Sequence, residues 1–166
     1  MLGLDQGSVL RLQNMVRVGL VSAEELRSWA DRQLERTESP PIWLCDLAMA
    51  RDPGEVLLAI AAGIRDAPLL ASSPDVARNY LACLLVLHAQ GTLPWAQFLK
   101  TAGDFCDARN TTDPSCEHFF LQLTALEHAA AVHQVEESQR MALERLLALD
   151  VAVLNQDASQ LRPPVA

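Results

Sequence analysis

The residues that could hold a metal ion lie in the last third of the chain, where His133 and Glu136 are three positions apart. On a helix this spacing lets two side chains point at one ion. His128 is five positions from His133 and falls on a diverging face, and no second His or Glu pair completes the ligand set. We therefore expect no metal ion and no other cofactor, and a metal-dependent helical hydrolase using these three residues is a minor alternative.

Cys116 and His118 form a candidate nucleophile and base beside a helix start at Asp113. A helix N-terminus stabilises a thiolate, and a neighbouring imidazole can accept its proton. Residues two apart on a helix, however, point to nearly opposite sides. Two phenylalanines follow directly, which favours a turn that anchors the helix in the core.

Two common catalytic loops are also missing from the sequence. Phosphate-binding loops need clustered glycines, and the seven glycines of this chain are isolated. The G-x-S-x-G nucleophile elbow is absent as well. We expect a protein that is not an enzyme.

Negative charge is the strongest functional signal. Residues 101–137 contain seven acidic side chains and one basic side chain, Arg109, and this net −6 is most of the chain's −8. Concentrated negative charge speeds association with a basic partner and repels acidic ones. A solvated face that only keeps the protein soluble is the alternative. The candidate partner-binding residues from this window are Asp104, Asp107, Asp113 and Glu117.

Trp43 is a further candidate because it follows two prolines, Pro40 and Pro41, that stiffen the preceding loop. A tryptophan beside a rigid turn makes a good interface anchor. It makes an equally good core residue, and both interpretations stay open.

The overall charge excludes several classes of partner. With 13 basic and 21 acidic residues the chain repels nucleic acids and anionic membranes. The longest apolar run, residues 80–87, is too short to span a bilayer. The four cysteines form no CxxC pair, so we expect reduced thiols and a cytoplasmic protein, with a Cys106–Cys116 disulfide as the alternative.

The elements that would position these residues are helices. Leu and Ala make up 52 of 166 residues, and apolar residues recur at helical spacing between Pro, Gly and capping signals. Ser22 and Glu25 form one capping box, and residues 81–87 are apolar enough for a central, buried helix. We predict an all-α, compact bundle of seven to eight helices, with a helix break near residues 133–137. A single domain would span residues 1–157, followed by a flexible tail over 158–166.

Three segments, VSAEE (21–25), WAD (29–31) and PPIWLCDL (40–47), resemble a pattern in small helical bacterial proteins. Some of those proteins are immunity proteins of polymorphic toxin systems. The resemblance covers residues 20–60 and implies a small acidic protein that neutralises a partner by binding it.

Together these observations predict a non-catalytic immunity protein that binds a basic surface of a cognate toxin through an acidic face. A helical adaptor or chaperone-like scaffold is the alternative. The hydrophobic fraction of 50% suits a homodimer face as readily as a large core, so the oligomeric state stays open.

Overall fold

The structure is a computed structural model that describes residues 4–66, 76–111 and 114–162. Within these ranges it contains eight helices and no strand, which confirms the all-α prediction. The helices are α1 (Gln6–Arg17), α2 (Ala23–Leu34), α3 (Ile42–Met49), α4 (Pro53–Asp66), α5 (Val76–Ala89), α6 (Trp95–Arg109), α7 (Cys116–Glu127) and α8 (Val132–Leu161).

The chain divides into two compact units. Unit 1 comprises the residues up to Val76 together with those from Ala152 onwards, and unit 2 comprises Ala77–Val151. The single domain expected over residues 1–157 stays a prediction.

Capping side chains define the starts of two helices, and the capping box at Ser22 and Glu25 is the one predicted from the sequence. The Ser22 hydroxyl accepts a bond from the Glu25 amide, and the Glu25 carboxylate accepts one from the Ser22 amide at 2.8 Å. This reciprocal pair satisfies backbone donors that the first turn of a helix leaves without partners. Asp52 also satisfies backbone donors at the start of α4, because one of its carboxylate oxygens accepts hydrogen bonds from the amides of Gly54 and Glu55.

Unit 1 buries the indole of Trp43 in its core. Trp43 is only 2% exposed, and a Cβ added at Gly63 would lie 2.7 Å from its ring. Glycine at this position of α4 therefore makes room for the ring. The expectation that Trp43 anchors a partner is wrong, and the alternative of a core residue holds.

Unit 2 has an aromatic and aliphatic core. The α5 segment from Leu81 to Val86 is buried throughout, as predicted for a central helix. In α6 the rings of Trp95 and Phe98 stack 4.6 Å apart, and Phe98 meets Phe119 of α7 edge to face at 6.5 Å. The Phe98–Phe119 pair joins α7 to α6.

The break in the last helical stretch lies earlier than predicted. Helix α7 ends at Glu127 and α8 begins at Val132, so the interruption is at residues 128–131 and not at 133–137. The backbone turns at His128, whose amide bonds to Thr124 and Leu126.

The predicted tail is wrong for residues 158–161, which form the last turn of α8. Leu161 is fully buried, and the Arg32 guanidinium donates to its carbonyl oxygen at 2.8 Å. One turn earlier, buried Asp157 accepts a bond from Arg11 at 2.6 Å. These contacts with distant parts of the chain hold the helix to its end. Residues 163–166 lie outside the described residues.

Among the described helices, none combines the length and the apolar character needed to cross a membrane.

Candidate functional site

Part of the acidic window lies where α6 ends and α7 begins, whereas its residues Glu127, Glu136 and Glu137 lie at the end of α7 and in α8. Helix α6 stops at Asn110, which adopts the left-handed conformation with φ 51°, and α7 starts after Ser115, whose hydroxyl caps the His118 amide. The two helix ends touch, because the Cys116 thiol lies 3.7 Å from a carboxylate oxygen of Asp107. The last turn of α6 and the first turn of α7 therefore form one continuous surface.

This surface rests on close helix packing. A Cβ added at Gly103 of α6 would lie 2.6 Å from the ring of Phe120 in α7, so glycine lets the aromatic side chain approach the backbone. Phe119, on the same helix, is fully buried. The packing keeps the two helix ends in a fixed arrangement beneath their polar side chains.

Three of the four predicted carboxylates are exposed at this junction, and we call Asp104, Asp107 and Glu117 the acidic surface. Asp104 and Asp107 are three residues apart and so are neighbours on α6. Glu117 lies in the first turn of α7, where a negative charge also favours the helix dipole. Asp113 lies outside the described residues.

Two cationic side chains lie at this surface, and counting charges along the sequence did not show what each of them contacts. The Lys100 ammonium lies 2.7 Å from Asp104, with both side chains more than half exposed. The Arg109 guanidinium lies over the Phe105 ring, 5.3 Å from its centre. Lys100 stands one residue before the acidic window, and its i,i+4 spacing to Asp104 was the signal that could have revealed the pair. Within the described part of the chain, no salt bridge engages Asp107 or Glu117.

The candidate metal ligands are not gathered into a site. His128 directly follows the last residue of α7, while His133 and Glu136 lie in the first turns of α8. Over residues 4–66, 76–111 and 114–162 no group of three or more His, Cys, Asp or Glu side chains is arranged to hold an ion.

The candidate nucleophile and base have separate partners. Cys116 contacts Asp107, whereas a ring nitrogen of His118 lies 2.6 Å from the Gln122 amide nitrogen. The arrangement does not pair the thiol with the imidazole.

All four cysteines are free thiols, so the Cys106–Cys116 disulfide is not formed. Burial raises the pKa of the Cys83 thiol to about 12, because the thiolate would lose its hydration inside the core. Cys83 therefore behaves as a small apolar residue of α5, as predicted for a core thiol.

The comparisons with known proteins identify no relative: no family model matches the chain, and no curated protein or solved structure is significantly similar to it.

Proposed function

We propose that this chain is a non-catalytic protein-binding module, and most specifically an immunity protein that neutralises a cognate toxin. The observation that carries the proposal is the junction of α6 and α7, where exposed Asp107 and Glu117 lie on helix ends that touch. Such a surface suits a partner that presents Lys or Arg side chains.

The surface suits rapid, charge-steered binding. Its carboxylates stand on packed helices and need no rearrangement to meet a partner's cations. The Lys100–Asp104 pair is exposed on both sides, and pairs of this kind contribute only about 0–1 kcal/mol. A guanidinium of the partner can therefore replace Lys100 at Asp104 with little loss.

The proposed mechanism is occlusion. A toxin that acts on an anionic substrate has a basic cleft, and an acidic protein seated there blocks the substrate by charge and by volume. We place this complex in the cytoplasm, since the four cysteines and their lack of a CxxC pair suit a reducing compartment.

Charge reversal at the junction tests the proposal. With the product of the neighbouring gene as partner, we expect the double variant Asp107→Lys, Glu117→Lys to bind at least about tenfold more weakly than wild type. The matched control is Glu35→Lys, Glu38→Lys, which changes the net charge equally at two exposed positions of unit 1. If both variants lose the same affinity for the partner, net charge alone explains the loss, and the acidic surface is refuted as the binding site.

A cell-survival assay separates the immunity protein from the adaptor. Both bind their partner, but only an immunity protein rescues cells that express the toxin. Rescue by wild type and its loss with Asp107→Lys, Glu117→Lys is the expected result. Binding without rescue would favour the adaptor or chaperone-like scaffold.

A further inference from the structure

A pocket in unit 1 gathers three of the chain's 13 Lys and Arg side chains. Its volume is about 710 Å³, and it lies between the end of α2 and the last turn of α8. Arg32 and Arg36 line it from the first side and Arg162 from the second, and both sides belong to unit 1. We call it the arginine pocket. Binding sites for small molecules typically measure about 300–1,000 Å³, so this pocket has the size of such a site.

No Asp or Glu side chain of the described residues lines the arginine pocket. The chain as a whole has 21 acidic and 13 basic residues, so a lining whose charged residues are all arginine departs from the overall composition. Asp31, Glu35 and Glu38 adjoin these arginines in sequence, but all three are exposed and lie outside the lining. Positive charge therefore lines the interior, whereas these carboxylates lie on the surface outside it.

Arg36 is the arginine most accessible to a ligand. It follows α2, it is exposed, and no salt bridge within the described ranges engages it. Arg162 is paired with Glu25, but the two atoms are 3.3 Å apart and the Arg162 side chain is 57% exposed. Exposed pairs of this kind contribute little to stability. An anion in the pocket can therefore bond to Arg36 directly and draw Arg162 away from Glu25 with little loss.

Arg32 is held in position by the end of α8. Its guanidinium donates to the carbonyl oxygens of Leu161 at 2.8 Å and of Gln160 at 3.4 Å. These acceptors are neutral groups, and the C-terminal end of a helix carries only about half a negative charge. Part of the positive charge of Arg32 therefore remains uncompensated. Because the side chain is already ordered beside the pocket, binding an anion there costs less conformational entropy.

Guanidinium groups on two sides of the pocket favour phosphate over carboxylate as the ligand group. A guanidinium is planar and binds oxyanions through pairs of parallel N–H bonds. A phosphate group at neutral pH carries about 1.5–2 negative charges and three acceptor oxygens, so arginines from both sides can share it. A single carboxylate leaves more of the positive charge unmatched. The Gln33 side chain, which also lines the pocket, adds a neutral amide donor.

The charge of the whole chain limits the size of the ligand. At about 0.15 M salt, exposed charges interact over about 8 Å, and the net charge of the chain is −8. A nucleic acid or an acidic protein would bring further negative charges against exposed Asp31, Glu35 and Glu38 outside the pocket. A small molecule places its phosphate against the arginines and stays within the volume of about 710 Å³.

We propose that the arginine pocket binds a small molecule that carries phosphate groups. Arg36 and Arg162 contact the phosphate from opposite sides, and Arg32 supplies a third positive charge in a fixed position. This activity is additional to the proposed toxin binding, because the pocket belongs to unit 1 and the acidic surface to unit 2. Failure of either proposal leaves the other standing.

Calorimetric titration of the full chain with pyrophosphate tests the pocket. The buffer is free of phosphate and contains about 0.15 M sodium chloride, which screens unspecific attraction between exposed charges. We expect one pyrophosphate to bind per chain with a dissociation constant of about 1 mM or less. A dissociation constant above about 1 mM, or no saturation, overturns the proposal.

Citrate tests the choice of phosphate, because it presents several negative charges on carboxylates. Under the same conditions citrate should bind at least about tenfold more weakly than pyrophosphate. Equal affinity for the two anions overturns the assignment of phosphate as the ligand group.

A matched pair of variants locates the site. Arg36→Gln removes one positive charge from the lining without breaking a salt bridge, so the pyrophosphate dissociation constant should rise at least about fivefold. Arg17→Gln is the control, since Arg17 is also exposed in unit 1 but ends α1, outside the lining. Circular dichroism checks that both variants stay folded. Equal effects of the two substitutions, or no effect of Arg36→Gln, overturn the assignment of binding to this pocket.

Discussion

Glu25 shows how one side chain secures a helix start. The pKa of its carboxyl lies below the ordinary 4.5, chiefly because the carboxylate accepts a bond from the Ser22 amide, with further help from the Ser22 hydroxyl and from Arg162. These bonds favour the charged form, so the folded state holds the carboxylate more strongly than the unfolded chain does.

The pH dependence of stability follows from this lowered pKa. Glu25 stabilises the fold fully above its unfolded pKa, and the contribution disappears as pH falls through the lower folded pKa. We expect Glu25→Gln to lower the free energy of unfolding by about 0.5–1 kcal/mol at neutral pH. Urea unfolding at about pH 7 and about pH 3 measures this difference, which should shrink in acid. A difference that stays the same at both pH values would refute the role of the carboxylate.

At the scale of helices, sequence patterns predict the features that depend on near neighbours. The all-α class, the capping box at Ser22 and the buried middle of α5 depend on residues within a few turns of one another. The features that were mispredicted depend on distant ones. Arg32 reaches the carbonyl of Leu161, 129 residues away, and Gly63 opens the space that takes Trp43 out of the solvent. Neither contact can be predicted from residues that are close together in the sequence.

The candidate site, too, could be predicted only in those features that depend on residues close together in the sequence. The exposed carboxylates of α6 and α7 could be chosen from charge alone. That these carboxylates lie close together follows only from the contact between Cys116 and Asp107 in the structure. The charge count also left out Lys100, which pairs with Asp104. The exposure of Ile42 and Met49 was not recognised, because both look like core residues until the fold places them outside.

The end of α8 supplies a stability test at this scale. Leu161 is fully buried, so we expect Leu161→Ala to lower the free energy of unfolding by about 2–4 kcal/mol. The control Val153→Ala on the same helix removes a partly exposed side chain and should change it by about 0.5 kcal/mol or less. Chemical denaturation of both variants measures the contrast. If Leu161→Ala lowers the free energy of unfolding no more than Val153→Ala does, residues 158–161 behave as the flexible tail predicted from the sequence.

At the scale of the whole molecule, the acidic surface belongs to unit 2 and suits a basic partner. Binding through its carboxylates weakens as salt screens the charges.

The most direct test of the central claim is co-expression with the product of the neighbouring gene, followed by size-exclusion chromatography at low and high salt. We expect a stable complex of equal stoichiometry at low salt that dissociates at high salt, and that fails to form with Asp107→Lys, Glu117→Lys. Absence of a complex at low salt, or a complex indifferent both to salt and to these substitutions, would contradict binding through the acidic surface.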